Sequence, residues 1–143
     1  MADTTLKAIV DRFQAVLEAS PCSLTASTLS FSHDRQPAAA IEDHYYLEDG
    51  GLVSNRPMGN YKAARMDRLR VFIAKKAKFD GVSAFETMTT LLLTIERAIK
   101  ADGLSNSYHA EIESHRVTQP IGKDILIGEI ALAVDYDVNE AAA

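Results

Sequence analysis

A chain of 143 residues, 47% apolar and 24% charged, is the size of one folded domain and has the composition of a chain that packs a core rather than one that stays disordered. No apolar run approaches the roughly 20 residues of a membrane-spanning helix, and the acidic start at Asp3 lacks the basic and apolar regions of a signal peptide, so the expectation is a single domain, 1–143, made and kept in the cytoplasm. The lone Cys22 excludes an internal disulfide, and the net charge of -5 weighs against general affinity for nucleic acid, which depends on an excess of Lys and Arg.

In chain order, Leu6, Ile9, Val10, Phe13, Val16 and Leu17 fall on one helical stripe with Asp3, Thr4 or Thr5 as N-cap, which predicts an amphipathic helix ending before Pro21. Pro21 to Pro37 reads as a connection or an edge, with a short strand-like run around Leu29 and Phe31. Ala39 to Leu47 alternates as a strand does and meets Asp49-Gly50-Gly51, a strong turn signal, after which Asn55 to Asn60 suits a loop. Met66 to Phe79 is a second strand, with Leu69, Val71 and Ile73 on an apolar face and Arg68, Arg70, Lys76 and Lys78 on a basic one.

At Ser83 the period changes to helical. Ser83 and Glu86 form a capping box, Phe85, Met88, Leu91, Leu92, Ile95 and Ile99 make the stripe, and Asp102-Gly103 closes the helix. Tyr108 to Val117 alternates again, Gln119 to Lys123 supplies a turn, and Leu126 to Val138 alternates at strict period two, which predicts a long antiparallel C-terminal hairpin. A strand of some thirteen residues spans roughly 40 Å, more than a small domain needs internally, so part of it is expected to meet another chain. The fold class is therefore α+β: a mainly antiparallel sheet with two helices packed on one face.

Charge is segregated along the chain. Eight of the fifteen basic residues lie between Arg56 and Lys78 against the single acid Asp67, whereas Asp124, Glu129, Asp135, Asp137 and Glu140 follow Lys123 with no further base. Signs of chemistry are sparse. His109, Glu111, Glu113 and His115 project from one face of a strand at period two and are plausible ligand types, but at about 6.6 Å between successive positions they cannot converge on one ion, and a polar surface is the simpler reading. No nucleophile elbow or phosphate-binding glycine loop is present, and no catalytic, cofactor-binding or metal residue is assigned.

The order of elements resembles the tail terminator proteins of long-tailed bacteriophages, the minor tail proteins that close the tail tube and join it to the head. The similarity rests on the helix Leu6 to Leu17, the Asp34-Arg35-Gln36-Pro37-Ala38-Ala39-Ala40-Ile41 run entering the first strand, and the loop before Arg68-Leu69-Arg70-Val71-Phe72-Ile73. It continues through the helix Ala84 to Ile99 to the final Ala133-Val134-Asp135-Tyr136-Asp137-Val138. It spans nearly the whole chain as a pattern of elements, with no invariant motif.

The resemblance implies a non-enzymatic virion protein of the tail–neck junction, assembled in the host cytoplasm, that forms a homohexameric ring. Its partners would be other copies of itself, the tail-tube protein and the head–tail connector or stopper, with genomic DNA passing through without specific binding and with no cofactor. Segregated charge suits a head-to-tail ring interface in which Arg68, Arg70 and Lys76 of one subunit face Glu129, Asp135 and Asp137 of the next. The segment Gly50 to Tyr61, with Gly50, Gly51, Arg56, Met58, Asn60 and Tyr61, is the candidate for contact with tube or connector. The rival readings are another neck ring protein (head-completion or stopper), a small metal-dependent enzyme using His109 to His115, and a nucleic-acid-binding module using the basic strand.

Overall fold

A computed structural model describes residues 3–33, 43–76, 81–105, 107–119 and 125–139. The chain is α+β, with elements in the order α1 (Leu6–Glu18), β1 (Thr25–Ala26), β2 (His44–Gly59), β3 (Lys62–Lys76), α2 (Gly81–Ser105), β4 (Tyr108–Thr118) and β5 (Ile125–Asn139). The five strands form one sheet in the order β1-β2-β3-β5-β4, in which β1 runs parallel to β2 and every other pair is antiparallel.

Helix α1 starts where the Thr5 hydroxyl accepts the Ala8 N–H at 3.2 Å, satisfying one of the donors that a helix N-terminus leaves open. Its apolar stripe buries Ile9, Phe13 and Leu17. These join Met88, Leu92, Ile95 and Ile99 of α2 and the alternate residues Leu69, Val71 and Ile73 of β3 and Leu126, Ile130, Leu132 and Val134 of β5 in one core. Each such side chain, taken wholly out of water, contributes about 1.5–3 kcal/mol before the entropy of ordering it is counted. Phe13 meets Tyr108 edge-on at 5.2 Å between ring centroids, and beside them Asp102 of α2 accepts hydrogen bonds from both Arg12 of α1 and the Tyr108 hydroxyl, tying three elements at one point.

Gly128 interrupts the apolar face of β5 for a steric reason. A Cβ there would stand 2.9 Å from Met88 Sδ and 3.0 Å from Leu92 Cδ2, so a side chain at this position would have to displace the buried ends of Met88 and Leu92 that pack over it.

The opposite side of the sheet is apolar at one end. Phe31, Phe72, Ala74, Ile125 and Ile127 form a second buried cluster with Tyr46 packed against it. Phe72 and Ala74 share alternation with Arg68 and Arg70, so the strand face predicted to be basic is half core. Phe31 is buried there and Leu29 is exposed, and neither lies in a strand. The short strand in this region is β1, placed by hydrogen bonds from Thr25 N–H to Asp43 O and from Ser27 N–H to Tyr45 O, each 2.9 Å.

Three boundaries differ from expectation. Asp49-Gly50-Gly51 does not turn the chain: β2 continues through it to Gly59, and the glycines form a bulge, with Gly51 at φ +95° donating to Asp49 Oδ1 at 2.8 Å. The turn comes at Asn60-Tyr61, both at positive φ (52° and 61°), which is the two-residue geometry whose twist matches a hairpin. Residues Asn55 to Gly59 are therefore strand rather than loop. Helix α2 begins before Ser83 and continues past Asp102-Gly103 to Ser105, so neither the predicted capping box nor the predicted stop marks its end.

The length of β5 is used inside the molecule. Every residue from Ile125 to Asn139 is in register with β3, and Ile127 to Tyr136 pair with β4 on the other side, so the expected surplus is taken up by an equally long neighbour. The predicted strand residues Ala39 to Glu42 and Ala77 to Phe79, and the Pro120 to Lys123 turn, fall outside the described residues.

Candidate interaction surfaces

The charged residues singled out for a ring interface lie on adjacent strands of one sheet face, opposite the main core. Arg68 and Arg70 are in register with Ala133 and Ala131, and Asp135, Asp137 and Glu129 with Met66, Ala64 and Phe72. They are thus close neighbours rather than the opposed edges that the sequence suggested. Lys76 ends β3 in register with Ile125, and its side chain is outside the described residues.

Several already have partners within the chain. Arg68 Nε lies 3.1 Å from Glu113 Oε1 and Arg70 Nη1 lies 3.5 Å from Glu48 Oε1, with about half of each arginine side chain in solvent. Glu129 Oε2 is 3.4 Å from Nε2 of the buried His33, whose Nδ1 meets Thr118 Oγ1 at 2.5 Å. Exposed pairs of the arginine kind stabilise by about 0–1 kcal/mol, so exchanging Glu48 or Glu113 for a carboxylate of another chain costs little. Neither glutamate was picked out from sequence as a partner, because cross-strand neighbours depend on register.

Asp135 and Asp137 border a shallow hollow of about 120 Å³ together with Ser54, Arg56 and Met66. Arg56 was predicted in a separate loop; the continuation of β2 brings it beside the acidic residues. The other loop candidates, Gly50, Gly51, Met58, Asn60 and Tyr61, are all exposed along β2 and its turn. Gly50 is required where it stands, since a Cβ would come within 2.9 Å of Arg68 Cβ and 3.0 Å of Arg68 O.

The row of possible metal ligands on β4 is divided by a bulge between Ile112 and Ser114. His109 and Glu111 stay on the open face, whereas His115, in register with the core residue Ile130, turns to the helix side and places Nδ1 3.1 Å from Glu96 Oε1 of α2. The shared face that the spacing predicted does not exist, and among the described residues no group of three or more His, Cys, Asp or Glu side chains is placed to hold a metal ion. Burial pushes the Cys22 thiol up, which keeps it protonated.

An apolar groove of about 370 Å³ opens between α1 and the part of β2 that follows its pairing with β1. Its floor is Leu6, Val10, Leu47 and Leu69, and its rim carries Lys7, Glu48 and Asp49. Nothing in the residue pattern announces it, because Leu6 and Val10 belong to the same helical stripe as the true core residues.

Buried polar groups elsewhere serve the fold. Asp67 is 4% exposed and accepts the Tyr136 hydroxyl at 2.5 Å. Burial, then this hydrogen bond, pushes Tyr136 up to about 12, with Arg65 acting the other way. Burial and the nearby Glu18 push Tyr45 up to about 12 as well, and burial with Asp102 raises Tyr108. No described helix is long and apolar enough to cross a membrane. Neither protein-family models nor curated proteins give a match to this chain.

Proposed function

We propose that this chain is a structural virion protein, a tail terminator whose copies close into a homohexameric ring, cap the tail tube, stop its polymerisation and join it to the head connector. The observation that carries the reading is the order of elements. A helix, an irregular stretch, two long strands, a helix and two more long strands follow one another as they do in the family that the sequence resembles. The finer arrangement on which the reading rests is two helices packed on one face of the sheet and a long C-terminal hairpin, which leaves the charged face to neighbours.

Two surface features support it. The open sheet face carries arginines and carboxylates in weak, exchangeable pairs, which suits a repeated contact whose charges set register. The exposed corner of β2 projects beyond the core and is the part of the subunit that reaches a partner. The net charge of -5 suits a ring through which DNA passes without specific binding.

The test is assembly. Purified protein mixed with polymerising tail-tube protein should cap tubes and fix their length, and tubes that grow as if nothing had been added would remove the reading. Arg68→Glu combined with Arg70→Glu should leave a folded monomer, because both positions are exposed. Rings that persist in light scattering would show that these arginines are not at the interface.

A further inference from the structure

Beyond its short pairing with β1 at His44 and Tyr45, β2 borders the sheet and carries two complementary surfaces that cannot meet within one molecule. At one end is the apolar groove floored by Leu6, Val10, Leu47 and Leu69. At the other, every residue from Asp49 to Tyr61 is exposed, although the strand is hydrogen-bonded to β3 throughout. Four large apolar side chains stand in this stretch: Leu52 is 54% exposed, Val53 44%, Met58 49% and Tyr61 75%. Single exposed apolar residues are normal on a surface, but four within one fully exposed stretch of thirteen residues make it a candidate for contact.

The groove and the corner are held apart. From Leu47 to Met58 is eleven residues, roughly 35 Å of chain at full extension, and pairing with β3 keeps it from folding back on the groove. The edge itself is a poor template for adding a further strand, because three register shifts, Gly50, Gly51 and Pro57 interrupt it. Contact through side chains is what remains. A groove of about 370 Å³ has room for one or two large side chains, and its apolar floor suits the ends of Met58 and Tyr61. On the rim, Lys7 is paired with Asp11 at 3.2 Å and Glu48 with Arg70 at 3.5 Å, which leaves the carboxylate of Asp49 to meet Arg56, a residue two positions from Met58 that forms no ion pair among the described residues.

We propose that the groove receives Met58 and Tyr61 from a second copy of this chain, with Arg56 of that copy against Asp49. The inference rests on the reading of the chain as a ring subunit, and it makes the neighbouring subunit, not the tail tube, the partner of this corner. Corner and groove are different surfaces, so the contact is heterologous and each subunit both gives and receives. Such a contact repeats until it closes.

Heterologous contact has a distinctive test. Met58→Glu with Tyr61→Asp disables the corner, and Leu6→Glu disables the groove, with circular dichroism and a thermal melt to confirm folding. By sedimentation velocity the wild type should assemble beyond a dimer, and each variant alone should self-associate at least about tenfold more weakly. An equimolar mixture of the two should give a 1:1 complex and nothing larger, because only one intact corner and one intact groove remain.

Should Leu6→Glu fail to fold, Asp49→Arg, at an exposed position, takes its place, and Arg56→Asp in the same chain should restore assembly. A wild type that stays monomeric, a variant that assembles normally, or a mixture that stays monomeric would each overturn the proposal. If the corner variant still forms rings that cap tubes, the corner contact falls and the terminator reading stands. If the wild type assembles through the corner yet leaves tube growth unchanged, the terminator reading falls and the contact stands.

Discussion

Replacing Gly128 tests the packing of α2 on β5. An added Cβ would stand 2.9 Å from Met88 Sδ, 3.0 Å from Leu92 Cδ2 and 3.4 Å from Met88 Cγ, where carbon contacts prefer about 3.5–4.0 Å. Met88 is 0% exposed and Leu92 1%, so neither side chain can yield without disturbing its core neighbours. Gly128→Ala recovers roughly 0.5–1 kcal/mol by restricting the unfolded chain and loses about 1–3 kcal/mol to overpacking, for a net cost of about 1 kcal/mol. Gly128→Val adds two more carbons and should cost about 3 kcal/mol, or roughly 10 °C in Tm for a domain of this size. Ala131→Val is the control on the same strand. Ala131 is half-buried on the opposite face, so a β-branched residue there should be neutral within about 0.5 kcal/mol. Urea and thermal unfolding give the values. A Gly128→Val protein as stable as wild type, or an Ala131→Val protein as damaged as Gly128→Val, would refute the close approach of α2 to β5.

Alkaline unfolding should follow from the buried tyrosines. The folded chain keeps Tyr45 and Tyr136 protonated up to about 12, and the unfolded chain releases those protons near 10, so stability falls as pH rises between the two by about 1.4 kcal/mol per tyrosine per pH unit. Tyrosinate absorbance from these residues should therefore appear together with loss of circular dichroism, and its appearance in a native spectrum near pH 10.5 would contradict their burial. Tyr136→Phe removes a donor from buried Asp67 and should destabilise by about 1.5–3 kcal/mol in urea unfolding at pH 7; a change under 0.5 kcal/mol would mean that Asp67 is otherwise satisfied. Arg12→Ala should loosen α1 from α2, seen as faster amide exchange in α1 with little change in the strands; uniform protection would contradict the tie through Asp102.

Much of the fold was legible because hydrophobic period reports which faces are buried. Both helices and the strands β3, β4 and β5 were found that way, with β5 placed within a residue of its ends, whereas β2 was anticipated only from His44 to Leu47. What escaped depended on partners. Asp49-Gly50-Gly51 has turn chemistry, but β3 continues alongside it and holds the chain in the sheet, so the glycines bend the strand instead of ending it. The real turn has Asn60, a residue tolerant of positive φ, followed by Tyr61, which is not, and only the preceding Gly59 hinted at it. On β4 a single bulged residue reversed the alternation, separating His115 from His109 and removing the constellation that period two had suggested. For the interface candidates, segregated charge drew attention to β3 and β5 but not to their adjacency, since which strands neighbour each other is a property of topology. The groove beside α1 was hidden because a half-covered Leu and a fully covered one look alike in a sequence.

Negative-stain electron microscopy of the purified protein, with and without tail-tube protein, looks for the proposed ring itself. Six-fold rings of this chain seated on tube ends, with tubes of uniform length, are the expected outcome. Protein that stays monomeric in both preparations while tubes lengthen freely would contradict it.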